Sequence, residues 1–206
     1  MPGRRLAVPP GRAGRLWLQR RLRVAERGGD LLDRKLRILR GELGVLRAAQ
    51  ERSAVDWDRC RADAERWLLR AALLGGQRSI RLAADGGLAD VNISYASVMG
   101  VSYPAGAACV IPEPGTWDGP AIAGARQAHR TALAAAARHA AATEAVRLVE
   151  AETLATRYRL RAVKDRWIPR LEQALAEVTL AIEEQEIADA ARLRLGTARR
   201  RRPRDP

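Results

Sequence analysis

Apolar residues recur along the first part of the chain in alternating steps of four and three. The row runs through Leu18, Leu22, Ala25, Gly29, Leu32, Leu36, Leu39, Leu43, Leu46, Gln50, Ser53, Trp57, Cys60, Ala64, Trp67, Ala71 and Leu74. Only Gln50 and Ser53 in this row are polar. An unbroken heptad row of this length predicts one helix of a coiled coil rather than an amphipathic surface helix.

A second row with the same spacing begins after Gly119 and Pro120 and contains no charged residue. It runs through Ala121, Ala125, Ala128, Ala132, Ala135, His139, Ala142, Val146, Val149, Thr153, Thr156, Leu160, Val163 and Trp167, then shifts by one place to Ile168, Leu171, Leu175, Val178 and Ile182. We expect a kink or a helix restart near Pro169, because proline removes a backbone donor and clashes with the preceding turn. Since alanine buries little apolar surface, this row predicts the weaker part of the pairing.

Residues 76–119 separate the two rows and have a different pattern. Val91, Ile93 and Tyr95 alternate with polar or small residues, and Gly86-Gly87 and Pro112 flank the β-type stretch. This pattern predicts a short β-hairpin or a small knob with loops. Because the segment joins two long helices, we expect it at the tip of an antiparallel pair, where it contributes nothing to either row and is dispensable for helix pairing.

The predicted fold class is therefore all-α dominated: a long antiparallel two-helix coiled coil with a small β-hairpin or loop insertion at the tip. The predicted organisation is an N-terminal extension at 1–11, a first coiled-coil helix at 12–75, the tip insertion at 76–119, a second coiled-coil helix at 120–195 with its kink near Pro169, and a basic disordered tail at 196–206.

Composition narrows the class of partner without choosing one. The formal net charge is +13, which favours acidic protein surfaces, anionic lipid heads or nucleic acid. Lys35 and Lys164 are the only lysines, so part of the arginine excess is consistent with GC-rich coding in a bacterium. Cys60 and Cys109 lack CxxC spacing and fit a reduced cytoplasmic protein. No apolar run reaches the ~18 residues of a membrane span, so we expect no membrane insertion.

The sequence offers no constellation for catalysis. Neither lysine lies in a GxxxxGK[ST] frame, which excludes a P-loop and direct nucleotide binding of that kind. His129 and His139 are too far apart in sequence for a shared helical metal site. Trp57 and Trp67 occupy row positions and are interpreted as packing residues. We therefore predict no catalytic, cofactor-binding or metal-binding residue and expect no cofactor.

Two groups of residues are candidates for binding partners. Arginines concentrate near both chain ends. They predict that long-range charge positions these ends loosely against an acidic or polar surface of a partner protein. The alternative is that these arginines are ordinary solvated surface. A third apolar residue per heptad lies beside the first row, although a two-stranded coil needs only two. We expect these residues to face another subunit or a third element of the same chain, the alternative being ordinary scattered surface apolarity. The candidates are Arg12, Arg15, Arg20, Arg21, Val24, Leu31, Ile38, Val45, Arg192 and Arg194.

Two stretches near opposite chain ends resemble the D-subunit family of V/A-type (vacuolar/archaeal-type) ATPases and ATP synthases. The first, LWLQRRLRVAERGGDLLDRKLRIL at 16–39, has the family's spaced leucines and basic cluster, carried by Leu18, Leu22, Ala25, Gly28, Leu31, Leu32, Lys35 and Leu39. The second contains IPRLE at 168–172, EEQE at 183–186 and RLRL at 192–195, in the family's order.

The resemblance implies a non-catalytic central-stalk subunit, the rotor shaft of a rotary ATPase or ATP synthase. Its implied partners are the catalytic head subunits A and B, the F subunit of the stalk and the adaptor of the membrane ring, with the chain peripheral to the membrane on the cytoplasmic side. Protons and sodium ions both remain open as the coupled ion, and so do both directions of ATP turnover. The alternative interpretation is a basic coiled-coil nucleic-acid-binding or scaffold protein, although acids such as Glu26, Asp30 and Asp33 interrupt the basic residues.

Overall fold

The computed structural model describes residues 6–83, 87–112 and 119–201, with side chains described as far as Thr197. Its elements are helix α1 (Gly11–Ala83), strand β1 (Asp90–Val98), strand β2 (Val101–Val110), helix α2 (Pro120–Arg161), a π-helical turn (Ala162–Trp167) and helix α3 (Ile168–Arg201). Long helices with one small hairpin insertion confirm the predicted fold class. The chain divides into two compact units, which we call the first unit (Met1–Arg34 with Thr156–Pro206) and the second unit (Lys35–Ala155).

In the first unit, large apolar side chains hold α1 against α3. Leu18 and Leu171 are both 0% exposed and lie in one cluster with Ala25. Partly buried apolar side chains surround this cluster, namely Leu6, Val8, Trp17, Leu22, Trp167, Ile168, Ala174, Leu175 and Val178. Apart from Gly14, the buried positions of this unit belong to the two heptad rows, as the sequence predicts.

The predicted irregularity before Pro169 takes the form of the π-helical turn. The Ile168 backbone N–H donates to the Val163 carbonyl oxygen, a wider hydrogen-bonded ring than that of an α-helix. Gly29 of α1 faces this turn: a Cβ there would lie 3.8 Å from side-chain atoms of Val163 and Lys164. Both Gly28 and Gly29 lie in the α-helical part of α1 before Gly76; a Cβ at Gly28 would meet no atom within 4 Å, so only Gly29 faces the turn.

In the second unit, a second apolar cluster joins α1, α2 and the hairpin. Leu39 and Leu43 of α1 pack with Ala145, Val146 and Val149 of α2. The hairpin is antiparallel, and Met99 and Gly100 in its turn have φ of 49° and 84°, the positive values that a tight two-residue hairpin turn needs.

The expectation that the insertion contributes nothing to the helix rows is wrong. Tyr103 of β2 is only 7% exposed and belongs to the same cluster as Leu39 and Val149. Ala96, Val98 and Val101 pack against that cluster as well. The physical reason is that an isolated two-stranded hairpin is at best marginally stable, so its apolar face needs another surface to cover it.

The ends of the helices differ from the predicted boundaries. In α1 the helical path breaks at Gly76, whose φ of 69° is accessible to glycine, and a further helical segment continues to Ala83. Leu74, assigned to the first row, is 79% exposed just before this break. Helix α3 continues to Arg201, past the predicted start of the tail at 196, and residues 202–206 lie outside the described part of the chain.

Candidate partner-binding surfaces

The four apolar residues beside the first row are exposed. In the first unit, Val24 and Leu31 are 69% and 63% exposed. In the second unit, Ile38 and Val45 are 43% and 63% exposed. Their row neighbours on α1 are buried or half-buried, so the helix turns one apolar face inwards and leaves another uncovered. Each unit therefore carries apolar side chains on α1 that the described part of the chain leaves uncovered.

An open groove in the first unit brings three of the predicted residues together. Arg20, Arg21 and Val24 line it with Ala25 and two tryptophans, Trp17 and Trp167, and its volume is about 430 Å³. The guanidinium carbon of Arg21 lies 4.6 Å from the centroid of the Trp17 ring, within cation–π range. The groove thus offers aromatic surface next to positive charge, a combination that suits an acidic partner with apolar side chains. Sequence reasoning missed Trp17, although its place next to Leu18 in a basic stretch was a usable signal.

The other predicted arginines have different surroundings. Arg12 pairs with Glu186 at 2.6 Å, and Arg192 pairs with Asp189 at 3.2 Å. Both pairs are exposed, so each contributes little to stability and its arginine remains accessible. Arg15 is half-buried, and its Nε atom has no hydrogen-bond partner among the described residues. Arg194 is exposed on α3.

The hairpin is attached to α1 by a polar contact as well as by packing. The Tyr103 hydroxyl donates to a Glu42 carboxylate oxygen at 2.7 Å. This hydrogen bond, together with burial and the negative charge of Glu42, raises the pKa of Tyr103 to about 12. Both groups were absent from the sequence-based candidates, because residues 61 positions apart reveal their contact only in the folded chain.

The hairpin has a second, uncovered face. Val91 and Ile93 are 44% and 47% exposed, and Tyr95 is 66% exposed. These are the alternating residues from which the strand was predicted, and the intervening Asn92 and Ser94 are exposed as well. Leu69, Leu73 and Leu82 near the end of α1 form another exposed set, at 61%, 78% and 72%. These three leucines lie outside the first row, so the heptad pattern does not identify them.

Three of the residues considered for chemistry, Trp57, Trp67 and His139, take packing roles. Trp57 stacks on His139 with centroids 5.5 Å apart, and Trp67 packs on Gly124. His129 is exposed, with Nδ1 2.8 Å from the Ala125 carbonyl oxygen. Cys60 and Cys109 are free cysteines. Among the described residues, no three His, Cys, Asp or Glu side chains are grouped as metal ligands would be.

The last observations concern membrane crossing and the similarity of the chain to known proteins. In the part that the structure describes, no helix combines the length and apolar character that crossing a membrane requires. A family model for the D subunit of ATP synthase matches residues 16–196, which include β1, β2, α2 and most of α1 and α3. A search of curated proteins gave no match.

Proposed function

The chain belongs to the ATP synthase D-subunit family, and we propose that it is the central-stalk subunit, the rotor shaft, of a V/A-type rotary ATPase or ATP synthase. In this role it couples ATP hydrolysis or synthesis in the catalytic head to ion translocation across the membrane. The subunit itself is non-catalytic, and the nucleotide chemistry takes place in the head.

The observation that carries the proposal is the extent of the family match, which runs through both long helical regions and the hairpin. The packing supports it. A shaft must carry torque without unwinding, and the two heptad rows bury side chains along α1, α2 and α3. The half-buried ion pair Lys35–Glu152, at 2.7 Å, also ties α1 to α2.

The partners follow from the same proposal. They are head subunits A and B, the F subunit of the stalk and the adaptor of the membrane ring, assembled on the cytoplasmic side of a bacterial membrane. The uncovered apolar residues Val24, Leu31, Ile38 and Val45 are proposed contacts for the head or the F subunit. The arginines at 12, 15, 20, 21, 192 and 194 are proposed to guide the shaft by long-range charge, which positions a rotating part without fixing it at one angle.

The charge distribution disfavours the nucleic-acid alternative. Several arginines are matched by acids within one or two helical turns or across the helix pair, including Arg61 with Glu65 and Arg138 with Asp56. A nucleic-acid surface is expected to leave a continuous basic stripe for the phosphates. Retention of the purified chain on a nucleic-acid column at physiological salt, in place of any head subunit, would favour that alternative.

The experiment is affinity purification of the tagged chain from its native membranes, followed by identification of the bound subunits and assay of ATPase activity. The test variant is Leu31→Glu with Ile38→Glu. The matched control is Val55→Glu with Leu133→Glu, because these residues are 71% and 44% exposed against 63% and 43% for the test pair.

We expect the unchanged chain and the control variant to recover the complete complex. We expect the test variant to keep its helical circular dichroism and to lose most of the head or the F subunit, because a buried carboxylate at an apolar contact is strongly unfavourable. Recovery of every partner by the test variant at unchanged stoichiometry and coupled activity would show that these residues are ordinary surface. Absence of head and stalk subunits from the wild-type purification would refute the shaft role itself.

A further inference from the structure

The alanine-rich part of the second unit leaves the helix register underdetermined. The α2 row there consists largely of Ala121, Ala125, Ala128, Ala132, Ala135 and Ala142. Small identical side chains at heptad spacing pack in much the same way after one helix slides by seven residues. Apolar packing in this stretch therefore gives little preference for one register over the next.

Polar side chains on both helices interrupt this alanine-rich seam, by which we mean the interface between the heptad rows of α1 and α2. Ser53 Oγ lies 3.1 Å from His139 Nδ1 in a half-buried contact, and Gln50 Nε2 donates to Oγ1 of the exposed Thr143 at 3.3 Å. The Ser53 hydroxyl donates to the Gln50 carbonyl oxygen at 2.8 Å, so its oxygen is left to accept a hydrogen bond from Nδ1–H of His139. Trp57 stacks on the same imidazole with an interplanar angle of 14°. We call Gln50, Ser53, Trp57, His139 and Thr143 the polar layer.

A second contact in the same seam depends on shape. Helix α2 contains a single glycine, Gly124, and the Trp67 ring of α1 lies over it. A Cβ at Gly124 would stand 2.5 Å from ring atom Cζ3 of Trp67, closer than side-chain atoms approach. The large ring therefore fits at this position of α2 because the side chain there is a single hydrogen atom.

We propose that the polar layer and the Trp67–Gly124 contact form a register lock, which holds α1 and α2 in one heptad register that the alanines leave open. A slip of one heptad would place Ser53 opposite Ala132 or Val146 and His139 opposite Leu46 or Cys60, so that both would lose a hydrogen-bonding partner inside the seam. In one direction it would also place Trp67 against Thr131.

The register lock lies within the second unit and does not depend on whether the chain is a rotor shaft. Its consequence for a shaft rests on the proposed function. Two helices that slide past one another convert an applied twist into axial slip, so a lock in the weakly packed part of the seam would preserve torque transmission.

Disulfide cross-linking tests the register directly, because two cysteines join only when their Cα atoms come within about 7 Å. The starting chain carries Cys109→Ser, which leaves Cys60 as the single thiol. Ala132→Cys reports the observed register, and Ala125→Cys reports a slip of one heptad. Ala64→Cys with Ala135→Cys, in a chain that also carries Cys60→Ser, reports slip in the other direction.

In the otherwise unchanged protein we expect the pair 60–132 to cross-link at least about 10-fold faster than either slip reporter, from the steep distance dependence of disulfide formation. The lock-free variant carries Trp67→Ala with Gln50→Ala and Ser53→Ala. We expect the observed register to lose most of its advantage there, to within about threefold. The matched control, Arg47→Ala with Arg138→Ala, removes two exposed ion pairs between the same helices and should leave the ratio unchanged.

An unchanged cross-linking ratio in a helical lock-free variant would overturn the proposal and leave the hairpin contacts as the source of register. A collapse of the ratio in the ion-pair control would overturn it as well.

If the lock-free variant loses its helical signal, Trp67→Ala and the Gln50→Ala/Ser53→Ala pair are measured separately. Full retention of the observed register in both would refute the lock, and a lower ratio in either would support it. These readouts need no partner protein, so failure of the shaft role would leave their outcome intact.

Discussion

The two compact units bury their helix seams by different means. In the first unit, leucine and tryptophan side chains fill the space, with Leu18 and Leu171 fully enclosed. In the second unit, much of the seam consists of alanines, among them Ala64, Ala71 and Ala128, at 3%, 0% and 8% exposure. A leucine removes far more apolar surface from water than an alanine, so the first seam gains more per layer from the hydrophobic effect.

The second unit has contacts that supplement its alanine seam. The hairpin adds Tyr103 to the cluster around Leu39, Leu43 and Val149, and the polar layer and the Trp67–Gly124 contact join α1 to α2. The comparison shows that a helix pair can be held by side-chain volume or by a small number of specific contacts. The first unit should therefore respond most to truncation of large side chains, and the second to changes in shape and hydrogen bonding.

The largest effect is expected from Leu18→Ala in the first unit. Removing a fully buried leucine leaves a cavity and should lower the free energy of unfolding by about 2–5 kcal/mol. Urea denaturation followed by circular dichroism measures the change. The control is Leu16→Ala, a neighbour that is 54% exposed, for which we expect a much smaller loss. Equal losses for the two variants would mean that side-chain volume is not what holds this seam.

A shape change should come next, in the second unit. Gly124→Leu forces a side chain against the Trp67 ring and should destabilise by about 1–2 kcal/mol, since the overpacking outweighs the better helix propensity of leucine. Adding Trp67→Ala should recover part of that loss. Thermal or urea unfolding of both variants gives the coupling between the two sites. Strictly additive effects would contradict a direct fit of ring to glycine.

A smaller effect is expected from Tyr103→Phe, which removes the hydrogen bond to Glu42 and keeps the ring. We expect a loss of about 1 kcal/mol, the usual contribution of one such bond. Because the pKa of Tyr103 is raised to about 12, its contribution is complete below the unfolded-state pKa near 10 and is lost as the pH rises towards 12. A pH titration of phenolate absorbance measures this, because subtracting the curve of the variant from that of the wild type leaves the signal of Tyr103. We expect the midpoint of the difference near pH 12. A midpoint near 10, the ordinary tyrosine value, would contradict this contact.

The smallest effect is expected from Arg12→Ala. Its ion pair with Glu186 is short, yet the two side chains are 77% and 56% exposed. Such surface pairs contribute roughly 0–1 kcal/mol, and salt weakens them further. The free energies of unfolding of the variant and the wild type, measured in urea, should agree within about 0.5 kcal/mol at physiological salt. A larger loss would show that charge, as well as volume, holds the first unit.

Local pattern was enough to predict the helices and the hairpin. Both heptad rows have the period of a coiled-coil seam, and the residues from Leu18 to Ala71 in the first row are indeed buried or half-buried. Alternation at Val91, Ile93 and Tyr95 located β1. Among the partner-binding candidates, the exposure of Val24, Leu31, Ile38 and Val45 agrees with their position beside the row, while their proposed contacts stay predictions.

Contacts between residues distant in sequence were decided by the tertiary structure. The pairing of Tyr103 with Glu42 and the fit of Trp67 over Gly124 join positions that no periodic pattern connects. The packing of the hairpin against the helix rows, which was not expected from the sequence, belongs to the same class. Periodicity tells which side of a helix or strand is apolar, because that property repeats along the chain. Which surface covers that side depends on shape and hydrogen-bonding fit between elements, which appear only once the chain has folded.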